Sequence, residues 1–229
     1  LGSSKQNQTL SATRILLCPP SIIYTVISDV GAYSQFVPYC QGSIVTKHSA
    51  PAKDGKSYPE EAKLLIGFNN DISEEFTSRV YCVPGRVVEA VSGNTLSSLE
   101  GSEECAHHSA RPACDEDPSQ RSTAMAHLRT RWTLMPYPYK PPPVDAIDPT
   151  TYHKNVEKSG EAKPQDKTQV HLDIEFAFAN PMYAALSKAA APKVAEKMIE
   201  AFEKRVRAVM EGQGHVERPR SGRMQGVIR

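Results

Sequence analysis

Few of the residues able to do acid–base or metal chemistry fall in a pattern that would use them. Cys105, His107, His108 and Cys114 are metal-ligand types, but they run Cys-x-His-His-x5-Cys, which matches no zinc spacing, and no metal is expected. Glu74, Glu75, Asp173 and Glu175 offer carboxylates and His127 and His171 offer imidazoles. The alternation of their strands turns Glu75, Asp173, Glu175, His127 and His171 to the outward face, where solvated charges are normal. No Ser-His-Asp order, phosphate-binding glycine loop or dinucleotide fingerprint occurs in a strand–helix context. No catalytic residue and no cofactor is expected.

The most informative stretch is instead apolar. Tyr33, Ser34, Gln35, Phe36, Val37, Pro38, Tyr39 and Cys40 form an aromatic cluster pinned by a proline, and Gly42 and Ser43 then release the chain into a strand. Such a segment suits a hydrophobic gate better than a reaction centre.

The flanking elements follow from periodicity. Ile15, Leu16 and Leu17 end a strand over 9–18 at Pro19-Pro20, and Ser21 is expected to cap a helix with apolar positions 22, 23, 26, 27 and 30. Strands are expected at 43–48, 61–68, 72–82, 86–91, 127–135 and 170–178. Ala62, Leu64, Ile66 and Phe68 share one face, as do Phe76, Ser78, Val80 and Cys82. Asn180-Pro181 begins a long helix whose stripe includes Leu186, Val194, Met198, Phe202 and Val206. Pro192 is expected to kink it or divide it into two segments.

Composition bounds the rest. The 229 residues carry 27 Lys+Arg against 26 Asp+Glu, leaving no global field to hold a polyanion. No nucleic-acid partner is expected. No apolar run approaches the roughly 20 residues needed to cross a bilayer as a helix. Five dispersed cysteines, Cys18, Cys40, Cys82, Cys105 and Cys114, argue against a disulfide framework and for a reducing compartment. Residues 1–8 carry neither a long apolar nor an Arg-rich stretch, which leaves open whether a leader preceded them. A single domain over 1–229 is expected, with a core of about 9–212 and polar insertions at about 93–126 and 136–167. A flexible basic tail is expected at 213–229.

Several residues together resemble the coenzyme Q-binding Coq10 family of the START-like, polyketide cyclase-like superfamily. They are Tyr24, Val30, Tyr33, Phe36 to Cys40, Ser43, Gly67-Phe68, Glu75 to Val80 and Trp132. Phe176 to Tyr183, Met198, Ala201 to Glu203 and Arg205 complete the set. The family commonly has tryptophan where this chain has Tyr39. The resemblance implies an α+β helix-grip fold, a curved antiparallel sheet wrapped around a long C-terminal helix. It further implies a non-enzymatic protein that binds ubiquinone or a prenylated quinone precursor. The expected setting is the matrix side of the mitochondrial inner membrane, by peripheral contact, in support of quinone-biosynthesis or respiratory complexes.

An isoprenoid tail would dominate such binding. Burying about 100 Å² per unit contributes roughly 2–3 kcal/mol, against about 1 kcal/mol for a head-group hydrogen bond. The candidate walls are Phe36, Val37, Pro38, Tyr39, Leu64, Ile66, Phe68, Phe76, Val80, Trp132, Leu134, Ile174, Phe176, Met198 and Phe202, each of which also fits plain core. Two alternatives stay open at this point. One is a polyketide cyclase-like enzyme moving a proton through Arg129, Tyr39 or a carboxylate, and the other is a ribosome- or protein-interaction module.

Overall fold

The computed structural model describes residues 7–69, 72–93, 95–110, 125–136, 167–178 and 181–212. These form one antiparallel sheet of seven strands: β1 (Gln8–Leu16), β2 (Cys40–His48), β3 (Pro59–Asn69), β4 (Ile72–Val83), β5 (Val87–Gly93), β6 (Met125–Pro136) and β7 (Thr168–Phe178). Their order is β1-β7-β6-β5-β4-β3-β2. Consecutive strands β1 and β2 therefore lie at opposite edges. The connection between them, α1 (Pro20–Ser28) and a 3-10 turn (Val30–Gln35), must cross the sheet. α2 (Pro181–Met210) lies on the same side, against α1, β1 and β7.

Two elements differ from the sequence expectation. The N-cap of α1 is Pro19, with Pro20 in the first turn and no side-chain cap, so Ser21 is already helical. Proline fits that position because the first N–H groups of a helix have no intrahelical partner to lose. α2 is a single 30-residue helix that runs through Pro192 rather than two segments. One missing N–H leaves the neighbouring i to i−4 bonds intact, and beyond Pro192 the stripe of Ala195, Ile199, Phe202 and Val206 is buried on the sheet.

The strands grip α2 because their inward positions are apolar and its stripe is too. Ala195, Ile199, Phe202 and Val206 are buried at helical spacing against Val80, Trp132, Leu172, Ile174 and Phe176, with Ile23, Val26 and Ile27 of α1 in the same core. Register shifts at Cys40/Gly42 and Val45/Lys47 break the β2–β3 ladder, as bulges that bend a sheet do. Gly67 lies there against the Gln41 side chain: a Cβ at this position would stand 2.1 Å from its terminal amide, so Gln41 would have to swing aside.

A second core lies on the outer face. Tyr81, Val83, Val87 and Val91 are covered by Leu99 and Cys105 from the polar segment that follows β5. The front of the expected insertion, residues 95–110, is thus a loop packed on the sheet, and the outer face of β4 is dry at Tyr81. Residues 111–124, 137–166 and 213–229, which include the second insertion and the expected tail, lie outside the described residues.

Candidate functional site

The 3-10 turn and α2 meet in an aromatic stack. Phe202 sits at the centre, with ring centroids 4.3 Å from Trp132, 4.9 Å from Phe36 and 5.2 Å from Tyr33. The Tyr33 hydroxyl donates to the Ile27 carbonyl, which ties the turn to the end of α1. Burial raises the Tyr33 phenol well above its ordinary value, with negative potential from Cys82, Asp29 and Cys40 acting the same way, so it remains a neutral donor. Ser43 donates in turn to the Val30 carbonyl and locks the turn onto β2. Val37 and Cys40 are buried behind it.

Outside the stack lies a groove of about 470 Å³. Phe36 and Pro38 form one wall, and Lys197, Glu200, Ala201, Lys204, Arg205 and Ala208 of α2 form the other. Ala201 and Ala208 are small, which lets the turn approach the helix. Arg205 stands over the Phe36 ring at 5.5 Å and reaches Gln35 Oε1 at 3.4 Å. Phe36 therefore faces two environments, the groove on one side and Phe202 on the other.

Most of the apolar candidates converge. Val37, Val80, Trp132, Leu134, Ile174, Phe176 and Phe202 are buried in the core between sheet and helices, and Phe36, Leu64, Ile66 and Met198 pack against it from partly buried positions. Phe76 is buried opposite Leu64. Pro38 lines the groove. The side chain of Phe68 lies outside the described residues. Trp132, 2% exposed, plugs the core beneath Phe202.

Tyr39 is placed differently from the cavity wall expected of it. It is 41% exposed with φ 67°, a left-handed conformation uncommon for a residue with a Cβ. That backbone turn swings the side chain over the outer surface of α2, where Lys197 Nζ donates to its hydroxyl at 3.3 Å and lies 5.8 Å from its ring. The Tyr39 carbonyl accepts from the Gly67 N–H at 2.8 Å and holds the bend.

The polar candidates are engaged away from the grip. Arg129 lies opposite Glu175 and bonds it at 2.6 Å on the outer face, where His127 lies 3.2 Å from the same carboxyl. His171 sits between Thr13 and Asp173. The Cys105 thiol donates to the Cys82 carbonyl, and His108 Nε2 accepts the Cys82 N–H at 2.9 Å. Cys114 lies outside the described residues.

Sequence inspection missed a buried polar knot at this same place. Glu60 receives Lys47 at 2.7 Å, the Ser109 N–H at 3.0 Å and the Ser109 hydroxyl, with His108 Nδ1 at 3.9 Å. Burial alone would raise the Glu60 carboxyl, but these donors outweigh it and hold the group at about 2. Burial, then His107, pushes His108 down to about 4. A Glu at a strand start, followed much later by His-His-Ser, is a signal only once the fold brings them together.

The sequence of the chain matches the polyketide cyclase/dehydrase and lipid transport family over residues 18–203. The chain belongs to that family. Within it, the chain is 27% identical over 205 residues to the mitochondrial coenzyme Q-binding protein Coq10 of Eremothecium gossypii, covering 90% of this chain and 75% of that one. It is 26% identical over 191 residues to the mitochondrial coenzyme Q-binding protein of Schizosaccharomyces pombe, covering 83% and 82%. The resemblance to Coq10 proteins thus extends over most of the chain. Two solved structures share the fold of this family member. They are a START superfamily protein from Mycobacterium smegmatis, with 16% identity, TM-score 0.54 and coverage of 88% and 98%, and the Zhui aromatase/cyclase from a Streptomyces species, with 13% identity, TM-score 0.55 and coverage of 92% and 100%. Among the described residues, no helix is long and apolar enough to cross a membrane.

Proposed function

We propose that this protein binds ubiquinone, or a prenylated precursor of it, between α2 and the sheet and carries it as a lipid chaperone without chemical turnover. The observation that carries this reading is the double position of Phe36, which lines an open groove and at the same time seals an aromatic core against Phe202. Displacing that ring would join the groove to the apolar interior. A tail sliding inward would meet Trp132, Ile174 and Phe176, each buried. The relatives' names supply the quinone and the mitochondrion. The matrix side of the inner membrane, peripheral contact with it, and delivery to biosynthetic or respiratory complexes belong to the same proposal. The cyclase alternative is disfavoured by the placement of Arg129 and Tyr39, both directed away from the grip.

The only tryptophan makes the test direct. Ubiquinone entering the grip should quench Trp132 fluorescence, and organic extraction of purified protein followed by mass spectrometry should release a prenylated quinone. No quench together with an empty extract would end the proposal, whereas conversion of a quinone precursor would point to the cyclase.

A further inference from the structure

The whole chain has a formal net charge of only +1, yet the groove beside Phe36 collects three cations, Lys197, Lys204 and Arg205, against the single carboxylate of Glu200. Their pairing is uneven. Lys204 bonds Glu200 at 2.9 Å, while among the described residues Lys197 and Arg205 hydrogen-bond to the neutral oxygens of Tyr39 and Gln35. Among the described residues, neither of these two forms an ion pair with a carboxylate. Each is held near an aromatic ring, Lys197 by Tyr39 and Arg205 by Phe36, so their side chains are positioned before any ligand arrives.

We propose that this groove seats the phosphate of an anionic phospholipid, with Lys197 and Arg205 as its ligands and the Tyr39 ring at the level of the head groups. Charge complementarity selects the anion. A half-exposed tyrosine beside an apolar wall is the amphipathic arrangement that settles at a membrane–water boundary. The guanidinium forms two parallel bonds to phosphate oxygens and the ammonium adds a compact charge from the other side. The contact would orient the Phe36 door toward the bilayer. This inference rests on the quinone-carrier proposal for its purpose, but it concerns a different set of side chains.

The test uses the full chain with vesicles of phosphatidylcholine alone and of phosphatidylcholine mixed with phosphatidylglycerol. Wild type should co-float with the mixed vesicles and not with the neutral ones, less so at higher salt. The paired substitutions Lys197→Gln and Arg205→Gln should lower that partition roughly thirtyfold, at the energy typical of two basic residues near an anionic surface. Thermal melting should stay at the wild-type value, which separates loss of the contact from loss of the fold.

Equal flotation of the paired variant and wild type would overturn the proposal and assign the contact to other basic residues. Indifference of wild type to phosphatidylglycerol would also overturn it. Displacement of vesicles by low concentrations of inorganic phosphate would replace the lipid with a soluble anion as occupant. Selective flotation without any quench by ubiquinone would support the groove while removing the quinone proposal.

Discussion

Phe202 carries more of the structure than any other candidate, because three aromatic rings meet it and each such pair contributes about 0.5–1.5 kcal/mol beyond the area it buries. Phe202→Ala should lower unfolding free energy by about 3–5 kcal/mol in urea titration. Phe36→Ala, at a partly buried position, should cost less stability but weaken quinone binding, and equal loss of both would make Phe36 simple core. Tyr39→Phe should leave quinone affinity unchanged, since the hydroxyl it removes meets Lys197 on the outer surface of α2. A clear loss of affinity would place that hydroxyl in the binding path. The outward turn of Tyr39 was not legible in the sequence. Its neighbours Phe36 and Val37 follow the expected inward pattern, but a single positive φ reverses the side chain, and nothing local in Pro-Tyr-Cys announces it.

At the scale of elements, the polar loop 95–110 is held by groups that titrate. His108 accepts the Cys82 N–H through Nε2, so its neutral form carries the proton on Nδ1, facing Glu60 with Lys47 and Arg79 close by. The His108 value is lowered to about 4. As pH falls below the ordinary histidine value of about 6.5, the unfolded chain takes a proton that the folded chain refuses, and stability drops until pH is near 4. Glu60, held at about 2 against an ordinary 4.5, contributes stability that is full above 4.5 and is lost from there toward pH 2. Denaturation midpoints should therefore fall steadily from pH 6.5 downward. His108→Gln, which keeps an acceptor for Cys82, should flatten the limb between 6.5 and 4, and an unchanged limb would assign it to other groups. The strands were legible because their side chains alternate, most cleanly in β7, where every second residue from Thr168 to Ile174 is buried. The loop's docking was not, because it rests on few apolar residues and on partners from Lys47 to Cys82 that are distant in sequence. The unbroken α2 differs for the opposite reason: a local rule for Pro192 gave way to a helix ladder that loses only one N–H there, and the stripe beyond it is buried on the sheet.

For the whole molecule, one sheet carries two cores with different demands. On the proposed reading the grip side lets a ligand pass, and its covering element α2 is held, among the described residues, by side-chain packing and surface bonds such as Arg14 to Glu196. The outer side is closed by a backbone-anchored loop, with the Ala50 N–H bonded to the His107 carbonyl and the Cys82 N–H to His108. Local opening draws on the part with fewer backbone ties, so α2 and the 3-10 turn should exchange amide hydrogens at lower cost than β4, β5 and the loop. Bound ubiquinone stabilises only states that contain its site. Hydrogen exchange followed by mass spectrometry should then show added protection in α2 and at residues 30–40, with β4 and the 95–110 loop unaltered. Protection rising first in that loop would put the ligand on the outer face, and a uniform rise would mean that quinone stabilises the fold without using the Phe36 door.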